Sequence, residues 1–351
     1  MAGTRRTLRA ARRSHILLVD PGKPRVKSNR IPSIALILLS GLATAGANAE
    51  GPAPLEGEPA LEVVIVRGPQ PGPGLWKVTS GDHVMWILGE VSPYPRKVKW
   101  KSKKFDWLLR HSQELLLDYS GYWRADKADR AAYSRAETLP EGVTLKDVLS
   151  PELYVRVEKT ANLFGATELE ELRPFSATNR LVMGAMKKLD MDGFSARFAA
   201  EDLGLMRHVR TTIFDMPEIA FTDRLKNWQD PSNAVCLERL VAAIEDGGAG
   251  VKRLANAWST GNIAALRKLV PRYSFSRDGF RADECAAAMH GSEQQARTYK
   301  DRRTQSWLEE AERALRDNRS TMAVVLMSEL FAPDGYLAGL RARGYQIVEP
   351  E

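Results

Sequence analysis

Apolar residues are spaced two ways along this chain: alternating or in short unbroken runs near both ends, and three or four apart in between. Leu75–Thr79 and His83–Leu88 flank Ser80, Gly81 and Asp82, which predicts a β-hairpin with a glycine-containing turn. Leu61–Arg67 has strand composition, and Phe105–Gln113 has helical spacing. Three apolar runs stop abruptly at a polar residue: Trp86–Gly89 at Glu90 and Ser92, Leu115–Leu117 at Asp118, and Ala323–Met327 at Ser328 and Glu329. Helical spacing dominates from about 145 to 320, in Pro151–Ala161, Ala177–Leu189, Pro231–Glu245 and Lys252–Ser259. Glu293–Asn318 is charged with a sparse apolar stripe, as suits a helix lying on a sheet. Met206–Arg210 predicts a short strand. The C-terminus reads as strand (Met322–Met327), turn, helix (Asp334–Arg343) with Gly344 as its cap, and strand (Tyr345–Val348). That βαβ order predicts parallel strands. The fold class is therefore α/β, a mixed, largely parallel central sheet flanked by helices, with a long mainly helical middle segment. Open α/β folds place their chemistry at strand ends, which singles out Glu90, Ser92, Asp118 and Glu329.

Charge changes the picture less than the total suggests. The 351 residues carry a net charge of +7, with 51 basic and 44 acidic side chains. Residues 1–49 hold nine of the basic residues and one acid, so the remainder has 42 and 43, a net charge of −1. The body lacks the extended basic face that phosphate backbones require, which argues against nucleic acid. The leader itself reads as a secretory signal. Lys27 and Arg30 flank an apolar stretch, Ile34–Leu42, that is too short to span a bilayer, and Ala47-Asn48-Ala49 offers small residues for cleavage after Ala49. Residues 1–25 are long for the positive region, and Val26 is an alternative start. The expected organisation is a leader (1–49), a disordered Pro/Gly/Glu-rich linker (50–60) and a single domain (61–351) with no transmembrane segment, in the periplasm or outside the cell. In that oxidising compartment Cys236 and Cys285, the only cysteines, are candidates for a disulfide, the alternative being two separate buried thiols. A run of Arg96, Lys97, Lys99, Lys101, Lys103 and Lys104 around Trp100 reads first as a solvated loop, and otherwise as a contact for anionic polysaccharide or a lipid surface.

Several segments, taken in order, resemble the TraB/GumN family, relatives of the Tiki proteases. They are Gly74-Leu-Trp-Lys-Val leading to Leu88-Gly89, the strand ending at Asp118, Ala257–Ile263, Arg303 with Trp307, and Pro333-Asp-Gly335-Tyr-Leu through Gly344-Tyr. The resemblance implies a metal-assisted hydrolytic site, as in the family's protease members. It also exposes departures. The family's first strand ends in Gly-x-x-His, and here Gly89-Glu90-Val91-Ser92 places serine there. The last motif, Gly-x-x-His-Leu, reads Leu326-Met327-Ser328-Glu329-Leu330. A glutamate is usual where Asp118 stands, and Arg303 keeps the family's arginine while Thr304 replaces its asparagine.

Glu90, Asp118 and Glu329 could still gather at adjoining strand ends. Oxygen donors without imidazole suit Mg²⁺, Mn²⁺ or Ca²⁺ better than zinc, with Asp118 and Glu329 as the ligands. Ser92 is a candidate ligand or nucleophile, yet His83, His111, His208 and His290 fall in no triad pattern. The plainer reading makes the three acids helix caps or salt-bridge partners, with Arg303 neutralising one of them. The leading expectation is an exported envelope protein with a degenerate hydrolytic centre, binding or assisting a protein or peptide. The alternatives are an active divalent-metal peptidase with carboxylate ligands and a factor that engages anionic polysaccharide or lipid.

Overall fold

The structure, a computed structural model, describes residues 72–96, 103–118, 127–192, 195–214, 234–275, 285 and 290–350. The leader with Ala49, the 50–60 linker, Leu61–Arg67 and Lys97–Lys101 lie outside these residues. Strand β1 (Leu75–Ser80) turns through Gly81 and Asp82 into β2 (His83–Glu90). Gly81 takes φ +60°, a conformation open to glycine at little cost, and this sets the hairpin register from Leu75 opposite Leu88 to Ser80 opposite His83. After the two-residue β3 (Tyr94–Pro95) come helix α1 (Lys103–Arg110) and strand β4 (Glu114–Leu117). The helical middle comprises α2 (Lys127–Glu137), α3 (Leu145–Val148), α4 (Pro151–Phe164), α5 (Pro174–Leu189), β5 (Met191–Asp192) and α6 (Ser195–Met206). It continues through β6 (Arg210–Ile213) to α7 (Val235–Ile244), α8 (Ala249–Ser259) and α9 (Ile263–Tyr273). The chain closes with the 25-residue α10 (Glu293–Asp317), β7 (Ser320–Leu326), α11 (Met327–Phe331), α12 (Tyr336–Ala342) and β8 (Gln346–Val348).

One six-stranded sheet carries the order β6-β4-β7-β2-β1-β8. β6, β4, β7 and β2 are mutually parallel, and β1 is antiparallel to both of its neighbours. The fold is the mixed, largely parallel α/β arrangement that the sequence predicts. β4 and β7 are central and covered on both faces, which is why they read as unbroken runs, Leu115–Leu117 and Met322–Val325, without alternation. β1 alternates instead, burying Trp76 and Val78 against the partly buried Lys77 and Thr79. Helix α10 lays Trp307, Leu308, Ala311, Ala314 and Leu315 into the sheet's core, the sparse stripe of its sequence.

One sequence expectation is corrected, and one is borne out in direction alone. Met206–Arg210 is not a strand: α6 runs on to Met206, His208 turns the chain at φ +56°, and pairing with β4 begins only at Arg210. β8 runs in the same direction as β7 but is not its neighbour, because β2 and β1 lie between them.

At its N-terminal end β4 is fastened by a charged cluster. The fully buried Glu114 accepts from Arg313 Nη2 (2.6 Å), Arg210 Nη2 (2.7 Å), Asn318 Nδ2 (2.6 Å) and Thr212 Oγ1 (2.5 Å), tying β4 to β6 and α10. Burial opposes ionisation, but these donors prevail and hold the carboxyl at about 2.

A second apolar cluster lies in the helical middle, where α4, α5 and α7 pack together. Cys236, on α7, and Cys285 are both buried there and form a disulfide, with Cα atoms 5.0 Å apart. Closing a loop with sequence separation 49 limits the unfolded chain, by about 4 kcal/mol in the chain-entropy treatment. Replacing both cysteines with alanine is expected to lower the urea midpoint accordingly while leaving the far-ultraviolet circular dichroism unchanged. An unchanged midpoint would contradict the pairing.

Candidate functional site

The C-terminal ends of β2, β7 and β4 lie side by side. Glu90 is in register with Leu326, and Asp118 follows Leu117, which pairs with Val324. The Asp118 N–H donates to the Val324 carbonyl at 3.0 Å, extending the ladder by one residue and fixing where its carboxylate emerges. Helix α11 begins at once after β7 and delivers Glu329 to the same place, while α10 brings Arg303 across from the other direction. All four side chains are buried.

Arg303 joins them. Its Nη2 donates to Asp118 Oδ2 at 2.7 Å and its Nη1 to Glu329 Oε1 at 2.8 Å. Asp118 Oδ1 accepts from the Tyr336 hydroxyl at 3.2 Å, and the Leu326 N–H approaches Oδ2 at 3.4 Å. Tyr336 is held by a stacked contact with Trp307, ring centroids 4.2 Å apart and planes 9° from parallel. The turn before Tyr336 requires glycine for reasons of space: a Cβ on Gly335 would stand 2.1 Å from the Glu329 carbonyl oxygen.

Glu90 takes a different partner. Its Oε2 accepts the backbone N–H of Arg197 at 3.0 Å, the third residue of α6, where helix N–H groups have no intrahelical acceptor. The Arg197 guanidinium turns to the Asp118 carbonyl. Strand-end backbone, helix start and the acidic cluster are thereby linked. The Nε–H groups of Arg197 and Arg303 are buried and meet no acceptor among the described residues.

Electrostatics follow from burial. Burial by itself would lower the Arg303 pKa, but Asp118 and Glu329 beside it hold it well above the ordinary arginine value. Burial raises Glu329, with Arg303 opposing and Asp118 adding. Burial raises Tyr336 well beyond the usual phenol. Glu90 is pushed up to about 7, chiefly by burial, with the Arg197 charge opposing it and Asp118 reinforcing it. Glu90 therefore titrates near neutrality.

Glu90, Asp118, Arg303 and Glu329 thus converge. Ser92 leads elsewhere through its backbone. Its carbonyl accepts from the Phe275 N–H at 2.7 Å and the Ser274 hydroxyl at 3.1 Å, anchoring the end of α9 beside the cis Ser92–Pro93 peptide. Among the histidines, His83 Nδ1 meets the Leu315 carbonyl, His111 stacks on Trp107, His208 is exposed in its turn, and His290 stacks on Tyr299. Sequence reasoning assigned no role to Arg197, Tyr336 or Trp258. Trp258 donates from Nε1 to the Gly89 carbonyl at 2.6 Å, pinning the end of β2. The Pro333-Asp-Gly335-Tyr336 motif is the one sequence signal that pointed toward Tyr336.

A divalent ion at Asp118 and Glu329 fits this donor set poorly. The two carboxylates already share a guanidinium, and among the described residues no three of His, Cys, Asp or Glu are grouped to hold a metal. The arrangement instead satisfies its own charges. An α/β sheet with acids at adjoining strand ends, a crossing arginine and the Pro-Asp-Gly-Tyr turn defines the class, and the particular grouping follows. The chain belongs to the TraB/PrgY/gumN family, whose model matches residues 74–349. No curated protein and no solved structure matches it significantly.

Two outcomes test this geometry. Arg303→Met strands two buried carboxylates and is expected to cost roughly 3–5 kcal/mol at pH 8. The loss should be smaller at pH 5, where the freed acids take up protons, as measured by denaturant unfolding at both values. Glu90 has the opposite sign to an ordinary paired acid. Its proton is held more tightly in the folded chain, so its contribution is most favourable below pH 4.5 and declines as pH rises toward about 7, by on the order of 3 kcal/mol. Glu90→Gln should match the parent in stability at pH 4.5 and exceed it at pH 8. Equal stability at both values would refute the burial argument.

Proposed function

We propose that this chain is an exported envelope protein whose hydrolytic centre is degenerate, and that it acts by binding or assisting a protein or peptide. The observation that carries this reading is the Arg303 guanidinium seated between Asp118 and Glu329 at 2.7 and 2.8 Å. A hydrolytic metal centre needs ligands with free lone pairs around an open position. Here the acid standing in the family's histidine position spends its charge on an internal cation. Ser92, at the other such position, offers a hydroxyl in place of an imidazole. The Cys236–Cys285 bond supports an oxidising compartment, as does the leader ending at Ala49.

Titration calorimetry with Mg²⁺, Mn²⁺, Ca²⁺ and Zn²⁺ in turn is expected to give no stoichiometric heat, and the protein no peptide hydrolysis. A one-to-one site lost in Asp118→Ala or Glu329→Ala, with metal-dependent cleavage, would replace this reading with that of an active peptidase. The export half is checked separately by mass spectrometry of the protein from the periplasmic fraction, where the expected N-terminus is Glu50. Recovery of the uncut chain from the cytoplasm alone would overturn it.

A further inference from the structure

The β1–β2 hairpin presents a surface unconnected with the buried cluster. Residues paired across antiparallel strands project from the same face, so Lys77 shares a face with Trp86, and Thr79 with Val84. Val348 of β8 pairs with Lys77 and extends that face to the edge of the sheet, where it is 61% exposed. The opposite face carries Trp76 and Val78, fully buried in the core. The Lys77 face of the hairpin is only partly covered: Lys77, Thr79, Val84 and Trp86 are all half-buried.

Over this face stand two ammonium groups. Lys77 Nζ lies 5.7 Å from the Trp86 ring centroid, and Lys104 Nζ, from the exposed start of α1, lies at the same distance. Neither lysine has an acidic partner among the described residues. Asp106, the nearest acid along α1, is held by Arg110 at 2.6 Å and Arg207 at 3.5 Å. A single cation over an indole is a common surface contact worth about 0.5–1 kcal/mol. A second cation on the same ring adds repulsion, and an external anion would relieve it.

We propose that Lys77, Trp86 and Lys104 form a binding platform for an acidic polysaccharide. Uronate carboxylates draw the two ammonium groups off the partly buried indole and pair with them as charge-assisted hydrogen bonds, and the uncovered indole takes the apolar C–H face of a sugar ring. Two point charges beside one ring suit a short anionic sugar segment better than a nucleic acid, which needs an extended basic face. The proposal stands apart from whatever the Asp118–Arg303–Glu329 cluster does.

The experiment measures binding of the full chain to immobilised polygalacturonate, to its methyl-esterified form, and to phosphatidylglycerol vesicles. Polygalacturonate should bind, weaken as salt rises, and weaken at least tenfold in the Lys77→Gln/Lys104→Gln double variant, whose changes lie at the surface. The esterified polymer, with the same backbone and no charge, should bind far less. Trp86→Leu should lose binding to both polymers, with its melting temperature confirming that it folds. Lys159→Gln/Lys252→Gln, removing two exposed lysines elsewhere, should bind as the parent does. Absence of polygalacturonate binding, or equal binding by the platform and control variants, overturns the proposal. Binding to vesicles without binding to polygalacturonate overturns it in favour of a lipid surface.

Discussion

The Arg303 guanidinium, shared between Asp118 and Glu329, is the constraint on which the C-terminal side of the sheet depends. A buried carboxylate without a partner costs several kcal/mol, and two of them in one place would not remain ionised. Arg303 meets both, and meeting both requires α10, β4 and α11 to converge within the length of one guanidinium. The Tyr336 hydroxyl takes the remaining Asp118 oxygen and draws in α12. Strand β4 and three C-terminal helices are thereby brought to one place, against a core that supplies the driving force but no such specificity.

The other end of the same sheet is built in the same manner. Glu114 opens β4 as Asp118 follows its last residue, and Glu114 also lies buried beneath arginines, one of them Arg313 from α10. Helix α10 thus supplies a counter-charge at each end of β4, ten residues apart in its own sequence at Arg303 and Arg313. At about 1.5 Å of rise per helical residue, ten residues span roughly 15 Å, and four strand residues at about 3.3 Å span roughly 13 Å. The matching lengths lock α10 to a single placement along the strand. Apolar ridges alone would let the helix slide by a turn.

Much of this was legible in the sequence because it depends on local pattern. Unbroken apolar runs marked β4 and β7, Gly81 marked the hairpin turn, and the acid after each run marked Asp118 and Glu329 as the place to look. The partners were less legible. Arg303 stood out by resemblance, but its bridging of two acids depends on where a 25-residue helix crosses the sheet, and no spacing within the helix encodes that. Arg197 acts through its backbone N–H, a group every residue but proline possesses, and through a guanidinium that meets a backbone carbonyl and the Glu90 charge, none of which local spacing marks. The misplaced strand at Met206–Arg210 failed for a similar reason. Met206 is an exposed residue at the end of α6, and the edge strand itself starts only at Arg210 and is partly exposed, so no apolar pattern marks its first residue.

Glu329 stands where the resemblance would place a histidine, and the choice of a carboxylate there has a consequence of its own. A neutral imidazole beside Arg303 would leave Asp118 as the only anion for that guanidinium, and would present a free ring nitrogen to an ion or a water. A carboxylate in the same place does the reverse. It attracts the arginine, closes a two-acid clamp around it, and commits one oxygen of each acid to the guanidinium. Asp118, within the clamp, adds its charge to the burial that already disfavours ionised Glu90, whose carboxyl is pushed up to about 7. A carboxylate at this position therefore makes the strand ends hold one another through Arg303.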